Sequence, residues 1–259
     1  QGLTVLGRGI AGTDVSTLEA GFKLLYTVDS VIRDCHAKYC DYNGVRIDQS
    51  PTFLTDNTSS VHGPRASSSH TAVIQYGLVI IGATMTGEVR GHVSNGGKHG
   101  VVWSENSTPG VSRGVTIRDC TVFGTWAGAY VTHESNDRCA IVGCKAYGCN
   151  RGMDIRVRRM QILGNELYGI ADPAGIEDGI YLSGDARDLM IADNVIVGWR
   201  YGIRGYDSGW FTGSEPSNIV IRGNTIDTIN QIGIYLQQTK NNNGFTGVIV
   251  ESNKISEFD

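Results

Sequence analysis

The stretch VTIRDCTVFG, Val115 to Gly124, decides the reading of the fold. Val115 and Ile117 alternate with Thr116 and Arg118. Cys120 interrupts, and Thr121-Val122-Phe123 resumes the alternation before Gly124. Alternation with a period of two marks a half-buried strand, and a small residue between two such runs marks a bend. The same template recurs without gaps as CAIVGCKAYG from Cys139, MQILGNELYG from Met160, LMIADNVIVG from Leu189, IVIRGNTIDT from Ile219 and VIVESNKISE from Val248. Upstream, LVIIGATMTG from Leu78 and SVIRDCHAKY from Ser30 fit it too. The sixth position then reads Cys35, Ala83, Cys120, Cys144, Asn165, Asn194, Asn224, Asn253.

A second motif follows each of these. Gly21-Phe22-Lys23-Leu24, Gly44-Val45-Arg46-Ile47 and Gly100-Val101-Val102-Trp103 share a pattern with Gly128-Ala129-Tyr130-Val131 and Gly152-Met153-Asp154-Ile155. Gly179-Ile180-Tyr181-Leu182, Gly202-Ile203-Arg204-Gly205 and Gly233-Ile234-Tyr235-Leu236 continue it. Glycine permits the turn into a strand whose two apolar positions face inward. From Cys120 onward the spacings are 24, 21, 29, 30 and 29 residues. Such periods, in β-branched segments that alternate by two, belong to a β-solenoid with loops of unequal length, not to a helical repeat. The expected fold is all-β: a single-stranded right-handed parallel β-helix of eight or more coils.

The Asn column has a structural rationale. A bend leaves backbone groups without partners, and stacked amides can bond to the coils above and below. Cysteine or alanine at the same place keeps the bend narrow without that bonding. Most of the six cysteines recur at equivalent positions and no CxxC pair occurs, so they read as core fillers and not as bridges or zinc ligands. The pattern runs from the first residues to Ile255 with no polar cap at either end, although solenoids need caps. Residues 1–259 are therefore expected to be one β-helix domain within a longer chain, with processing or truncation upstream of Gln1.

Composition narrows the function. Thirty-five glycines, five prolines and 19% charged residues suit an ordered, turn-rich protein. A net charge of −4 without a long basic run argues against a nucleic-acid partner. No apolar run reaches the ~18 residues of a membrane span. Segment 51–75 reads as one polar loop. Segment 207–217 offers Trp210 and Phe211 as a sugar platform or a subunit contact. No cofactor and no metal ligand is assigned, though acidic loops such as 170–178, with Asp172, Glu177 and Asp178, carry the oxygen ligands that calcium takes.

Stacking places one residue per coil in each outward column. The first is read as Lys23, Arg46, Val102, Tyr130, Asp154, Tyr181, Arg204, Tyr235. The next is read as Leu25, Asp48, Ser104, Thr132, Arg156, Ser183, Tyr206, Gln237. Aromatic rings stack on sugar faces, while Arg and Asp bond hydroxyls and carboxylates. Tyr130, Arg156, Tyr181, Arg204, Tyr206 and Tyr235 are thus the expected substrate-binding residues. Hydrolysis of a glycosidic bond needs two carboxylates. Asp154 with Glu134 or Asp185 supplies them. A lyase or epimerase needs a base such as His133, with arginine neutralising a uronate carboxylate.

These repeats resemble the carbohydrate-active β-helix superfamily of pectate lyases, polygalacturonases and phage tailspikes, over nearly the whole chain. GFKLLYTVDSVIRDCHAKYCDYNGVRID, Gly21 to Asp48, is similar to a coil pair of the bacterial mannuronan C-5 epimerases. That likeness implies an alginate-like substrate, but the DPHE catalytic motif of those enzymes does not occur; the nearest strings are Asp172-Pro173-Ala174 and Thr132-His133-Glu134. The tailspike resemblance implies a depolymerase, hydrolase or lyase, of bacterial surface polysaccharide. It also implies a homotrimer in an extracellular or virion-associated setting. The competing class is a non-catalytic structural or adhesin β-helix.

Overall fold

A computed structural model describes residues 4–6, 20–38, 40, 43–62, 76–81, 86–103, 114–132, 137–169, 178–184, 186–206, 217–237 and 245–256. The chain is a right-handed parallel β-helix of about nine coils. Three sheets run its length, one with ten strands (sheet I) and two with nine (sheets II and III). Each coil visits II, III and I in turn, as in Ala20–Leu25, Ser30–Arg33 and His36–Lys38, and every strand pairs in parallel with its equivalent one coil away. No helix among the described residues is long and apolar enough to cross a membrane.

The alternation read from sequence fills the interior. On sheet III the inward column is Ile32, Thr55, Val89, Ile117, Ile141, Ile162, Ile191, Ile221, Val250. Seven of these, from Ile32 to Ile221 with Thr55 left out, belong to one continuous apolar core. Full burial of each such side chain contributes about 1.5–3 kcal/mol. Volumes compensate across the narrow interior. Where sheet I supplies only Val122 and Ala146, sheet II supplies the large Trp103 and Tyr130.

The bend between sheets III and I is a left-handed residue followed by the column residue. Asp34, Asn57, Gly91, Asp119, Gly143, Gly164, Asp193, Gly223 and Ser252 occupy it, with φ between +49° and +63°. Asp, Asn and Gly tolerate that conformation best. The asparagines then form a ladder. The Oδ1 atoms of Asn194, Asn224 and Asn253 accept the backbone N–H of Asn165, Asn194 and Asn224 at 2.9, 3.0 and 3.0 Å. Their Nδ2 groups donate to the carbonyls of Ile162, Ile191 and Ile221. The cysteines are not silent substitutes. The Cys120 and Cys144 thiols donate to the equivalent carbonyls, Val89 O and Ile117 O, at a longer 3.7 Å. All six cysteines are free thiols.

The column itself needs two corrections. Ala83 is not in it. Leu78 lies in the sheet II strand Tyr76–Ile81, where Gly77 matches Gly44 and Gly100. The bend residues of the two intervening coils are Thr58 and His92. Segment 51–75 is accordingly not one loop: Thr52–Asp56 and Ser59–Val61 are strands, and 63–75 lies outside the described residues. The apolar run Leu78–Ile81 satisfies either strand template, which is why periodicity alone misplaced it.

His92 makes one coil acid-sensitive. Its ring bonds Thr58 Oγ1 at 2.9 Å and Ser60 Oγ at 3.3 Å in a fully buried site. Burial, and then the nearby His62, push its pKa down to about 3. The unfolded chain therefore takes up a proton, near pH 6.5, that the folded chain refuses until about pH 3. Stability falls as pH drops through that window, by about 1.4 kcal/mol per unit. Buried His62, also lowered by burial, adds in the same direction. His92→Asn keeps a polar group that can bond its neighbours without titrating, and removes the His92 share, roughly 2 kcal/mol between pH 6.5 and 4.5. Denaturant titrations at the two pH values read this. An unchanged pH slope in the variant contradicts it.

Candidate functional site on the outer face of sheet II

The observed outward column of sheet II is Lys23, Arg46, Val79, Val102, Val131, Asp154, Tyr181, Arg204, Tyr235. Tyr130 is not in it. Ala129, not Gly128, takes the glycine place, since a Cβ on Gly100 would lie 2.7 Å from the Ala129 carbonyl. The strand is therefore displaced by one residue from the sequence alignment, and a one-residue slip exchanges faces. Tyr130 is fully buried in the core, its hydroxyl donating to Cys120 O and Lys145 O at 2.9 Å. Thr132, likewise read as outward, is buried. Its Oγ1 accepts from Arg156 N and donates to Asp154 O.

The face changes character along its length. Val79, Val102 and Val131 form with Tyr76 and partly buried Ile81 a second apolar cluster. From Asp154 onward the same column carries charge, aromatic rings and hydroxyls. Asp154 is held by two arginines. Arg156 Nε and Nη2 donate to its Oδ1 and Oδ2 at 3.0 and 2.9 Å, and Arg151 Nη1 reaches Oδ2 at 2.9 Å. Ser183 Oγ adds a 3.4 Å bond. Burial raises the Asp154 pKa, but Arg156 and Arg151 outweigh it and hold the carboxyl below the usual carboxylate range. Asp154 is thus an anion at neutral pH, fit to act as base, nucleophile or electrostatic stabiliser, and unfit to act as an acid.

Arg151 and Tyr201 were missed in the sequence, and Asp178, read there as part of an acidic loop, instead opens the strand Asp178–Leu182. Arg151, Asp178 and Tyr201 each precede the glycine of their coil and pair in register. Pairing runs from Arg151↔Asp178 directly to Met153↔Ile180, passing over the glycine. Residues three apart therefore share the outer face, where simple alternation expects two. At Gly179 a Cβ would meet the Ile196 side chain and come within 2.6 Å of the Gly202 carbonyl, so this step excludes a side chain. Asp178 is wholly buried between Arg151 Nε, at 3.3 Å, and Arg204, whose Nε and Nη2 lie 2.7 and 2.9 Å from its two oxygens. Burial outweighs both arginines and raises its pKa. Two carboxylates on adjacent coils share Arg151 and are displaced in opposite directions.

The rings extend the network. Tyr181 has Arg151, one coil below, 4.4 Å from its centroid and Arg204, one coil above, at 5.0 Å. Arg204 and Arg200 lie 4.7 and 5.5 Å from Tyr201, which stacks on Tyr235 at 5.7 Å. Tyr235 donates to Gln237 Oε1. Among the sequence-predicted residues, the structure thus gathers Asp154, Arg156, Tyr181, Arg204 and Tyr235. Tyr206 joins by backbone register with Gln237, its side chain lying outside the described part. His133, Glu134 and Asp185 lie outside the described residues, as do Asp172, Glu177, Trp210 and Phe211. Among the described residues no three His, Cys, Asp or Glu side chains gather as metal ligands.

Residues 92–257 match the family model described as right handed beta helix region. The chain belongs to the right-handed β-helix family. No curated protein matches it. Among solved structures, "Geobacillus virus E2 - ORF18" is similar at 11% identity and a TM-score of 0.22, over 95% of this chain and 56% of that one. The β-helix thus spans little more than half the length of that viral chain, and so low a score carries no inference about its role.

Proposed function

We propose that this β-helix binds and cleaves a bacterial surface polysaccharide laid along the outer face of sheet II, from Asp154 to Gln237. One observation carries the reading: the outward column that is Val79, Val102 and Val131 becomes Asp154, Tyr181, Arg204 and Tyr235 within consecutive coils. A face that only needed covering is served by valine. In this reading ionised Asp154 is the base or nucleophile, and Glu134 or Asp185 the acid. In the lyase or epimerase variant His133 is the base and Arg156 or Arg204 neutralises a uronate. The protein acts as a homotrimer, extracellular or virion-associated, with calcium as an optional structural ion.

A second reading has its own observation. Both Asp154 oxygens are taken by guanidinium groups and Tyr181 is bracketed by two arginines. That self-contained ladder also suits a binding or structural β-helix without chemistry.

Incubation with capsule, O-antigen and alginate panels separates the two. New reducing ends mean hydrolysis, and ultraviolet absorbance of an unsaturated product means elimination. Binding without either leaves the non-catalytic reading. Asp154→Asn is expected to lower the turnover of folded enzyme by roughly 10²–10⁴-fold. Asp178→Asn, which disturbs the same network from a buried position, is the structural comparison. Equal turnover in the two variants removes Asp154 from the chemistry.

A further inference from the structure

We propose that the described strands from Asn43 to Asn95 form an acid-operated unit, built around His62 and His92 in a polar interior, that opens while the coils from Val115 onward stay folded. The inward positions of these coils depart from the apolar rule. On sheet I the inward column reads Ser60 and Ser94 before it becomes Val122, Ala146, Leu167, Ile196 and Ile226. On sheet III Thr55 stands in a column that is isoleucine in every coil from Ile117 to Ile221. Thr55, Thr58, Ser60, His62, His92 and Ser94 are all buried. Thr55 Oγ1 has no hydrogen-bond partner among the described residues. Sheet II still supplies Val45, Ile47, Leu78 and Ile80, so the unit folds, but on a thinner apolar core.

The bonding of this interior is complete only while His92 is neutral. Ser60 Oγ donates to Ser94 Oγ at 3.4 Å, so it accepts from His92 Nε2 at 3.3 Å. Nδ1 is then left to accept from Thr58 Oγ1 at 2.9 Å. A proton on Nδ1 forces Thr58 to turn its own proton away, and puts a charge where water does not reach. His62 meets two carbonyls, Cys40 O at 3.2 Å and Tyr76 O at 3.0 Å, and a neutral ring donates to only one. The titratable groups around the two rings are Cys40 and Tyr76, the Cys120 thiol at the bend one coil above His92, and His99, whose ring lies 5.5 Å from that of Tyr76. None of these is a carboxylate that could offset an imidazolium. Burial lowers the pKa of both histidines, so protonation favours the open form. A solenoid coil leans only on its neighbours, and one stretch therefore opens without the rest. Beyond it, the asparagine ladder and the isoleucine column hold the coils that carry Asp154, Tyr181 and Arg204.

Hydrogen exchange of the whole chain at pH 7.0 and 4.5, with labelling times scaled to the intrinsic exchange rates, tests this. Strands 43–48, 52–56, 59–61, 76–81, 86–90 and 93–95 are expected to lose protection by roughly fifty- to a hundredfold at pH 4.5, the shift given by a group that titrates near 6.5 when open and about 3 when closed. Strands 158–163, 187–192 and 219–222 are expected to keep theirs. His92→Asn and His92→Cys carry no titrating ring at this place, and the second matches Cys120 and Cys144 in the same column. Both are expected to cut the acid loss to a few-fold, and the cysteine variant carries the test if the asparagine variant fails to fold. Equal loss along the whole chain shows a single cooperative unit and overturns the proposal. Full protection of strands 52–61 and 86–95 at pH 4.5 overturns it too. Opening of wild-type size in the folded His92 variants removes His92 as the trigger, with the same consequence.

Discussion

Asn194→Leu is expected to lower the unfolding free energy by about 2–6 kcal/mol, since two buried polar groups lose their partner and each costs about 1–3 kcal/mol. Asn194 Oδ1 accepts from both Asn165 N and Asn165 Nδ2, and its own Nδ2 donates to Ile162 O and to Asn224 Oδ1. Leucine has the same branched outline and meets none of these groups. The Asn165 N–H and the Ile162 carbonyl are then orphaned where water does not reach, because Asn165 and Asn194 are fully buried. Thermal and denaturant unfolding measure the loss. A drop below about 1 kcal/mol shows that the ladder is not a stabilising network. Because Asn194 faces the bend between sheets III and I, binding by the surviving folded protein is expected to be unchanged.

The second large effect lies under the candidate site. Asp178→Asn removes the carboxylate that Arg204 and Arg151 share. Breaking a buried ion pair from one side costs up to about 3–5 kcal/mol, reduced here because burial already disfavours the Asp178 charge and Arg151 keeps Asp154. The Asp178 side chain has no exposure and that of Arg204 has 14%, so water offers little relief. A secondary effect is expected at Tyr181, which packs against both arginines. Chemical denaturation read by tyrosine and tryptophan fluorescence checks the magnitude. A variant as stable as the parent shows that Arg151 and Arg204 find other partners.

The fold was legible because its signals are local and repeated. Residues such as Ile117, Ile141, Ile162, Ile191 and Ile221 recur with their bend residue three positions on, and the glycine motif sets the next strand. The exceptions have physical reasons. At Tyr130 the glycine place is held by Ala129, so a glycine-anchored alignment placed an inward tyrosine on the outside. At Thr58 and His92 the bend residue is neither Asn nor Cys, and two coils went unseen. Most of the outward cluster was legible, namely Asp154, Arg156, Tyr181, Arg204 and Tyr235. Arg151 and Tyr201 were not, and Asp178 was read only as a loop carboxylate, because the step at each glycine puts residues three apart on one face, and strict alternation does not anticipate that. The residue before each glycine, read as a column, is the signal that finds them.

The ionic character of the cluster also tempers the chemistry read from sequence. Two carboxylates near one another suggest glycosidic hydrolysis, but Asp178 is sealed and Asp154 is already bonded to two arginines. A substrate must compete with those guanidinium groups or use their outer edges. This makes ligand binding, not turnover, the property closest to the structure.

Amide hydrogen exchange of the protein, with and without a polysaccharide that it binds, shows whether sheet II is the binding face. Added protection is expected in the sheet II strands 151–155, 178–182, 201–206 and 232–237, with sheet I strands 121–123 and 166–169 unchanged. Protection confined to sheet I or III, or no polysaccharide able to change exchange anywhere, contradicts it.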